Sequence, residues 1–164
     1  MVAIRLYKVT DKKPLTRMIA LFRVELASYR DITQEANQQA AKEELQEYLD
    51  KNYPIHVAVD QNDEPIGYLV CRIAERVVWA ESLFVSPDMR RKGIGSALYA
   101  EAEKLAKKLG EDTVYNWVHP TNHNVISFLR KQGYTVLNLI ELRRRRSGEK
   151  IVQQMKVGKH IFDY

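Results

Sequence analysis

The stretch from Glu81 to Leu109, ESLFVSPDMRRKGIGSALYAEAEKLAKKL, constrains this chain more than any other. Ser82-Leu83-Phe84-Val85 reads as a short apolar strand that breaks at Ser86-Pro87-Asp88. A basic turn follows, Arg90-Arg91-Lys92-Gly93-Ile94-Gly95-Ser96, and opens a helix on which Ile94, Ala97, Leu98, Ala102, Leu105 and Leu109 recur at helical spacing. Gly110 is its stop signal. A strand feeding a cationic, glycine-containing turn at a helix start is a recipe for holding phosphates. The first helical turn has unpaired N–H donors and the positive end of the dipole. Glycine allows close approach to the backbone, and neighbouring cations neutralise the ligand.

Arg90 through Gly95 resembles the acetyl-CoA signature of the GNAT acetyltransferase superfamily, Arg/Gln-x-x-Gly-x-Gly/Ala. The surrounding strand, turn and amphipathic helix supply the context such a motif requires. Asn122-His123-Asn124-Val125-Ile126-Ser127-Phe128-Leu129-Arg130-Lys131-Gln132-Gly133-Tyr134 is similar to a second segment of that family, Asn-x-x-Ala-x-x-x-Tyr-x-x-x-Gly-Phe. The resemblance implies acetyl-CoA as co-substrate, bound by Arg90, Arg91, Lys92, Gly93, Ile94, Gly95, Ser96 and Asn122. It also implies that the backbone of Leu83, Phe84 and Val85 pairs with the pantetheine arm. Asn122 reads equally as a helix N-cap, and the two roles are compatible.

The rest of the chain fits one α/β (α+β) domain over residues 1–164. A strand over Val2–Val9 precedes a helix capped by Thr10 or Asp11, with Leu15, Met18, Ile19, Phe22 and Leu26 as its apolar stripe. A second helix is expected from near Thr33, carrying Ala40, Ala41, Leu45, Tyr48 and Leu49. In the resembled family two such helices cover the substrate site. Ile55–Val59, Pro65–Ile73 and Val77–Val85 read as a three-stranded meander. Its middle strand is apolar on both faces, as a central strand should be, which makes Cys71 a buried hydrophobe. Thr113–Val118 is the next strand, then a helix over about Asn122–Lys131, then a hairpin of Tyr134–Leu142 with Glu149–Val157 around Ser147-Gly148. The order is β-α-α-β-β-β-α-β-α-β-β, that of the GNAT fold: a mixed, mostly antiparallel central sheet flanked by helices.

Acetyl transfer to an amine, by direct attack in a ternary complex, needs the amine neutral, so a carboxylate or histidine nearby would help. Glu81, which starts the strand lining the expected site, is the candidate base, with His119 and His123 as further options. Where many relatives carry a tyrosine that protonates the leaving thiolate, this chain has Leu129; water or Tyr134 would have to supply that proton. The four histidines and one cysteine lack zinc-site spacing, so no metal is expected. The start, MVAIRLYKVT, holds no signal-peptide core and no run approaches a membrane span, which makes a cytoplasmic protein without membrane association the expectation. The net charge of +5 permits anionic partners without choosing one. The run Arg143–Arg146 reads as a solvated hairpin end more readily than as a nucleic-acid contact. The acceptor, a small-molecule or peptide amine, stays open, as does a homodimer. A non-catalytic module that binds coenzyme A is the alternative reading.

Overall fold

The computed structural model describes residues 2–151 and 153–163. Residues up to Gly133 make one compact unit and those from Tyr134 onward a second. In the first unit, strand β1 (Ala3–Leu6) leads through a 3-10 turn at Val9–Asp11 into helix α1 (Lys12–Ser28), then helix α2 (Gln38–Asp50). Strands β2 (Ile55–Val59), β3 (Pro65–Ala74) and β4 (Val77–Val85) follow, then helix α3 (Ile94–Lys108), strand β5 (Val114–Tyr115) and helix α4 (His123–Lys131). The sheet order is β1-β2-β3-β4-β5, antiparallel throughout except for the parallel β4/β5 pair. β3 is central, as its two apolar faces require.

Side-chain alternation along the strands separates the two faces. Ile55, Val57, Val59, Tyr68, Val70 and Phe84 form one core with Leu15, Met18 and Ile19 of α1 and Ala41, Leu45 and Tyr48 of α2. Residues of the opposite face, among them Leu69, Cys71, Val78 and Val114, are buried, as are Leu98, Tyr99 and Ala102 of α3. Gly67 lies on this second face, where an added Cβ would stand 3.4 Å from Leu98. Within the first core the Tyr68 hydroxyl and Ser82 Oγ, both buried, form a hydrogen bond of 2.9 Å.

Several expected bounds need correction: β1 ends at Leu6 rather than Val9, where a 3-10 turn begins, and of the expected strand Thr113–Val118 only Val114–Tyr115 pairs. α2 starts at Gln38, not near Thr33, because the Asn37 side chain accepts the Ala40 N–H at 2.9 Å and is the stronger cap. In the second unit the expected strand over Tyr134–Leu142 is irregular, and the hairpin is instead β6 (Gln154–Val157) with β7 (His160–Asp163). Gly158, at φ 61°, gives the left-handed residue that a two-residue hairpin loop needs. Val152, inside the expected strand Glu149–Val157, lies outside the described residues. Around Ser147-Gly148 the arginine run closes on Glu149: Arg143 donates to its carboxylate, Arg145 to its carbonyl, and the Arg146 N–H to its carboxylate at 2.9 Å. Hydrogen bonding from Arg143 is the main cause that lowers the Glu149 carboxyl to about 2.

Asp11, almost fully buried, fixes the entry to α1. It accepts both terminal guanidinium nitrogens of Arg5, at 2.7 and 2.9 Å, and the Lys8 N–H at 2.7 Å. Asp11→Ala removes all three charge-assisted bonds and leaves the Lys8 N–H without its partner. We expect a loss of about 2–3 kcal/mol of stability, read as a lower urea midpoint with an unchanged m-value.

Candidate active site

A bulge in the β3–β4 ladder organises the site. Val70 opposes Ser82 and Cys71 opposes Ala80, so Glu81 is the extra residue and has no cross-strand partner. On the other side of β4, β5 pairs only at Val78–Val114 and Trp79–Tyr115. From Ala80 to Val85 the edge of β4 facing β5 therefore carries no ladder among the described residues. The backbone groups there that point away from β3 are left for an extended ligand, apart from the Val85 carbonyl, which accepts from Arg90. Leu83 and Val85 are half-buried, whereas the Phe84 side chain lies in the α1/α2 core and its backbone pairs with Tyr68 of β3, so Leu83 and Val85 are the residues whose backbone turns to the open edge.

β4 ends in a 3-10 turn at Pro87–Met89 and the loop to α3. This loop passes through the left-handed region at Arg91 (φ 59°) and at Gly93 (φ 80°), the N-cap of α3. Only glycine takes that conformation without penalty, so Arg91 stores backbone strain. The first helical bond runs from the Ala97 N–H to the Gly93 carbonyl. The N–H groups of Ile94, Gly95 and Ser96 precede it and are available to an anion. Arg91 and Lys92 are exposed. Arg90 is turned elsewhere: its Nε donates to the Val85 carbonyl at 2.8 Å, its Nη2 to Glu25 of α1 at 2.5 Å, and its guanidinium lies 5.2 Å from the Phe84 ring. Ser96 Oγ accepts from Gln132 of α4 at 2.8 Å.

Asn122 is buried and caps α4, its side-chain oxygen accepting the Val125 N–H at 3.1 Å. Leu129 is buried in that helix and brings no proton donor. His119 Nδ1 lies 2.8 Å from Thr121 Oγ1, and its ring stacks on Tyr29. Burial, then nearby Arg30, lowers its pKa. His123 is the exposed first residue of α4.

Around Glu81 stands a cluster that sequence reasoning missed. Arg72 of β3 donates from Nε to Glu81 Oε2 at 2.9 Å. Its guanidinium sits 4.8 Å from the Trp79 ring and 4.9 Å from the Trp117 ring, in the angle between two indoles tilted by 49°. Tyr115 packs against Trp79 at 5.2 Å. Both tryptophans of the chain thus converge on one arginine, and each such contact is worth roughly 0.5–2 kcal/mol depending on desolvation. A lone arginine in an otherwise apolar central strand was the available signal. Among the described residues no group of three or more His, Cys, Asp or Glu could hold a metal ion.

An unladdered strand edge leading into an anion-receptive helix start is the arrangement of a coenzyme-binding acyltransferase fold. Residues 18–134 match the acetyltransferase (GNAT) family, and the chain belongs to it. It is 29% identical over 126 residues to the peptidyl-lysine N-acetyltransferase YjaB of Salmonella typhimurium, covering 77% of this chain and 80% of that one. It is 36% identical over 80 residues to an uncharacterized N-acetyltransferase of Methanocaldococcus jannaschii, covering 44% of this chain but only 35% of the relative. Among solved structures, the PaiA N-acetyltransferase of Thermoplasma acidophilum in complex with coenzyme A superposes with a TM-score of 0.71 at 23% identity. That match covers 85% of this chain and 93% of the other.

A Cβ added at Gly95 would meet only the Phe128 ring, at an ordinary 3.6 Å. Gly95→Glu should therefore fold, with a melting temperature within about 3 °C of wild type. Its carboxylate would occupy the anion position at the α3 start, and coenzyme A binding should vanish in a calorimetric titration.

Proposed function

We propose that this protein is a cytoplasmic N-acetyltransferase that takes acetyl-CoA as donor and a primary amine as acceptor, with direct attack in a ternary complex. The observation that carries the reading is the free edge of β4 from Ala80 to Val85 running into the α3 start. The residues present fit such a donor: an extended slot for the pantetheine arm, and helix N–H groups with Arg91 and Lys92 for its phosphates. Arg90 contributes by bracing the loop against α1, through Glu25.

Glu81 takes the proton from the acceptor's ammonium, directly or through one water. The neutral amine then forms an N–C bond at the thioester carbonyl as the C–S bond breaks. Backbone N–H groups of β4 beside the bulge hold the carbonyl oxygen as it gains charge. Leu129 donates nothing, so the departing thiolate, whose thiol pKa is about 8.5 by analogy with cysteine, takes its proton from water. The similarity to a peptidyl-lysine N-acetyltransferase puts lysine side chains first among acceptors to be tried.

Acetyl-CoA should raise stability by about 2.7 kcal/mol at a hundredfold excess over its dissociation constant, seen as an upward shift in a thermal melt. No shift would remove the reading. Thiol release from acetyl-CoA should then be followed with a panel comprising a lysine peptide, a polyamine, free amino acids and an aminoglycoside. Binding without turnover of any of them would favour a coenzyme-binding module instead.

Glu81→Gln should lower turnover of the best acceptor about a hundredfold at neutral pH with coenzyme affinity unchanged. Raising the pH should restore part of the rate, because more acceptor is already neutral. Wild-type turnover in this variant would make Glu81 a spectator.

A further inference from the structure

The ion pair between Arg72 and Glu81 differs from the three two-pronged arginine–carboxylate pairs among the described residues, and shares its single bond with the pairs Arg5–Asp63 and Arg90–Glu25. Arg5 grips Asp11 with two nitrogens, Arg23 grips Glu44 with Nε and Nη2, and Arg143 grips Glu149 with both terminal nitrogens. Each puts a two-pronged fork on both carboxylate oxygens, the geometry guanidinium favours. Arg72 gives Glu81 a single bond, Nε to Oε2. Its Nη2 is buried with no hydrogen-bond partner, although burial makes an unpaired donor costly. Besides that one bond, the guanidinium lies against the indoles of Trp79 and Trp117. Glu81 lies in the bulge, so no cross-strand neighbour fixes its side chain. Oε1 has no hydrogen bond among the described residues.

We infer that Arg72 is a positioning residue: clamped by the two tryptophans, it anchors one oxygen of Glu81 and leaves the other free to take the acceptor's proton. This rests on the reading of Glu81 as the base. A two-pronged grip would occupy both oxygens, and no grip would let the bulged side chain rotate away from the edge of β4. The step served is a single proton transfer, from the ammonium nitrogen to Oε1 and then to solvent, with no change in oxidation state.

The test is a double-mutant cycle on the wild-type chain, Glu81→Gln, Arg72→Met and the double variant, using the fastest acceptor from the amine panel and saturating acetyl-CoA. Arg72→Met should lower kcat at least about tenfold, with acceptor KM and acetyl-CoA affinity within about twofold. Arg72→Lys can offer Oε2 one donor without the planar stack and should recover part of that loss. The double variant should be no slower than Glu81→Gln alone, because an anchor has nothing to position once the base is gone. Wild-type kcat in Arg72→Met overturns the inference while leaving the base reading intact. Losses that multiply in the double variant also overturn it, since Arg72 would then act on its own. Should Arg72→Met fail to fold, the same cycle with Arg72→Lys decides by the same criterion. A wild-type Glu81→Gln variant removes the base reading itself, and this inference with it.

Discussion

The pairing of β3 with β4, and the one residue that pairing skips, sets what the rest of the first unit can do. Before the skip, Tyr68 stands opposite Phe84, and after it Arg72 stands opposite Trp79. Without the extra residue, strict alternation would send Trp79 to the face opposite Phe84. The bulge returns both to the face covered by α1 and α2. It thereby builds the Arg72, Trp79 and Trp117 cluster beside the carboxylate. The distortion also marks the point beyond which β5 no longer follows β4. One irregularity in the ladder therefore places a slot, a carboxylate and its support within a few residues.

α1 links these parts to the remainder of the unit. Its Arg23 bonds Glu44 of α2, whose carboxylate also accepts from the Tyr48 hydroxyl. Two residues on, Glu25 receives Arg90 from the loop before α3. The helix is thus tied to the core helix on one side and to the anion-binding loop on the other. Arg90 belongs to the motif by sequence and to the scaffold by contact.

The loop and its helix were legible because their signals are local: glycine and basic residues at a helix start, and an apolar stripe with a period near 3.6. The element order and the central place of β3 followed in the same way from periodicity. Arg72 escaped notice because its partners come from β4 and from Trp117 beyond β5, and a register shift brings them together, which no window of sequence displays. The role of Arg90 was obscured by a long-range partner, Glu25. The segment after Tyr134 misled for the opposite reason. Its Val136, Leu137, Leu139 and Ile140 have the composition of a strand, but composition alone makes no ladder, and the unit's pairing lies at β6 and β7. At Asn37 a local competition between two cap residues was decided by one side-chain hydrogen bond.

The chain's single cysteine, Cys71, lies fully buried on the α3 face of β3, and burial pushes its thiol up to about 12. An enzyme that releases free coenzyme A at each turnover accumulates a thiol that oxidises and exchanges into mixed disulfides. Exchange requires an accessible thiolate on the protein. Here the sulfur is shielded and protonated, so the released coenzyme has nothing on its own catalyst to attack. The fold is in that sense inert to the redox chemistry of its product.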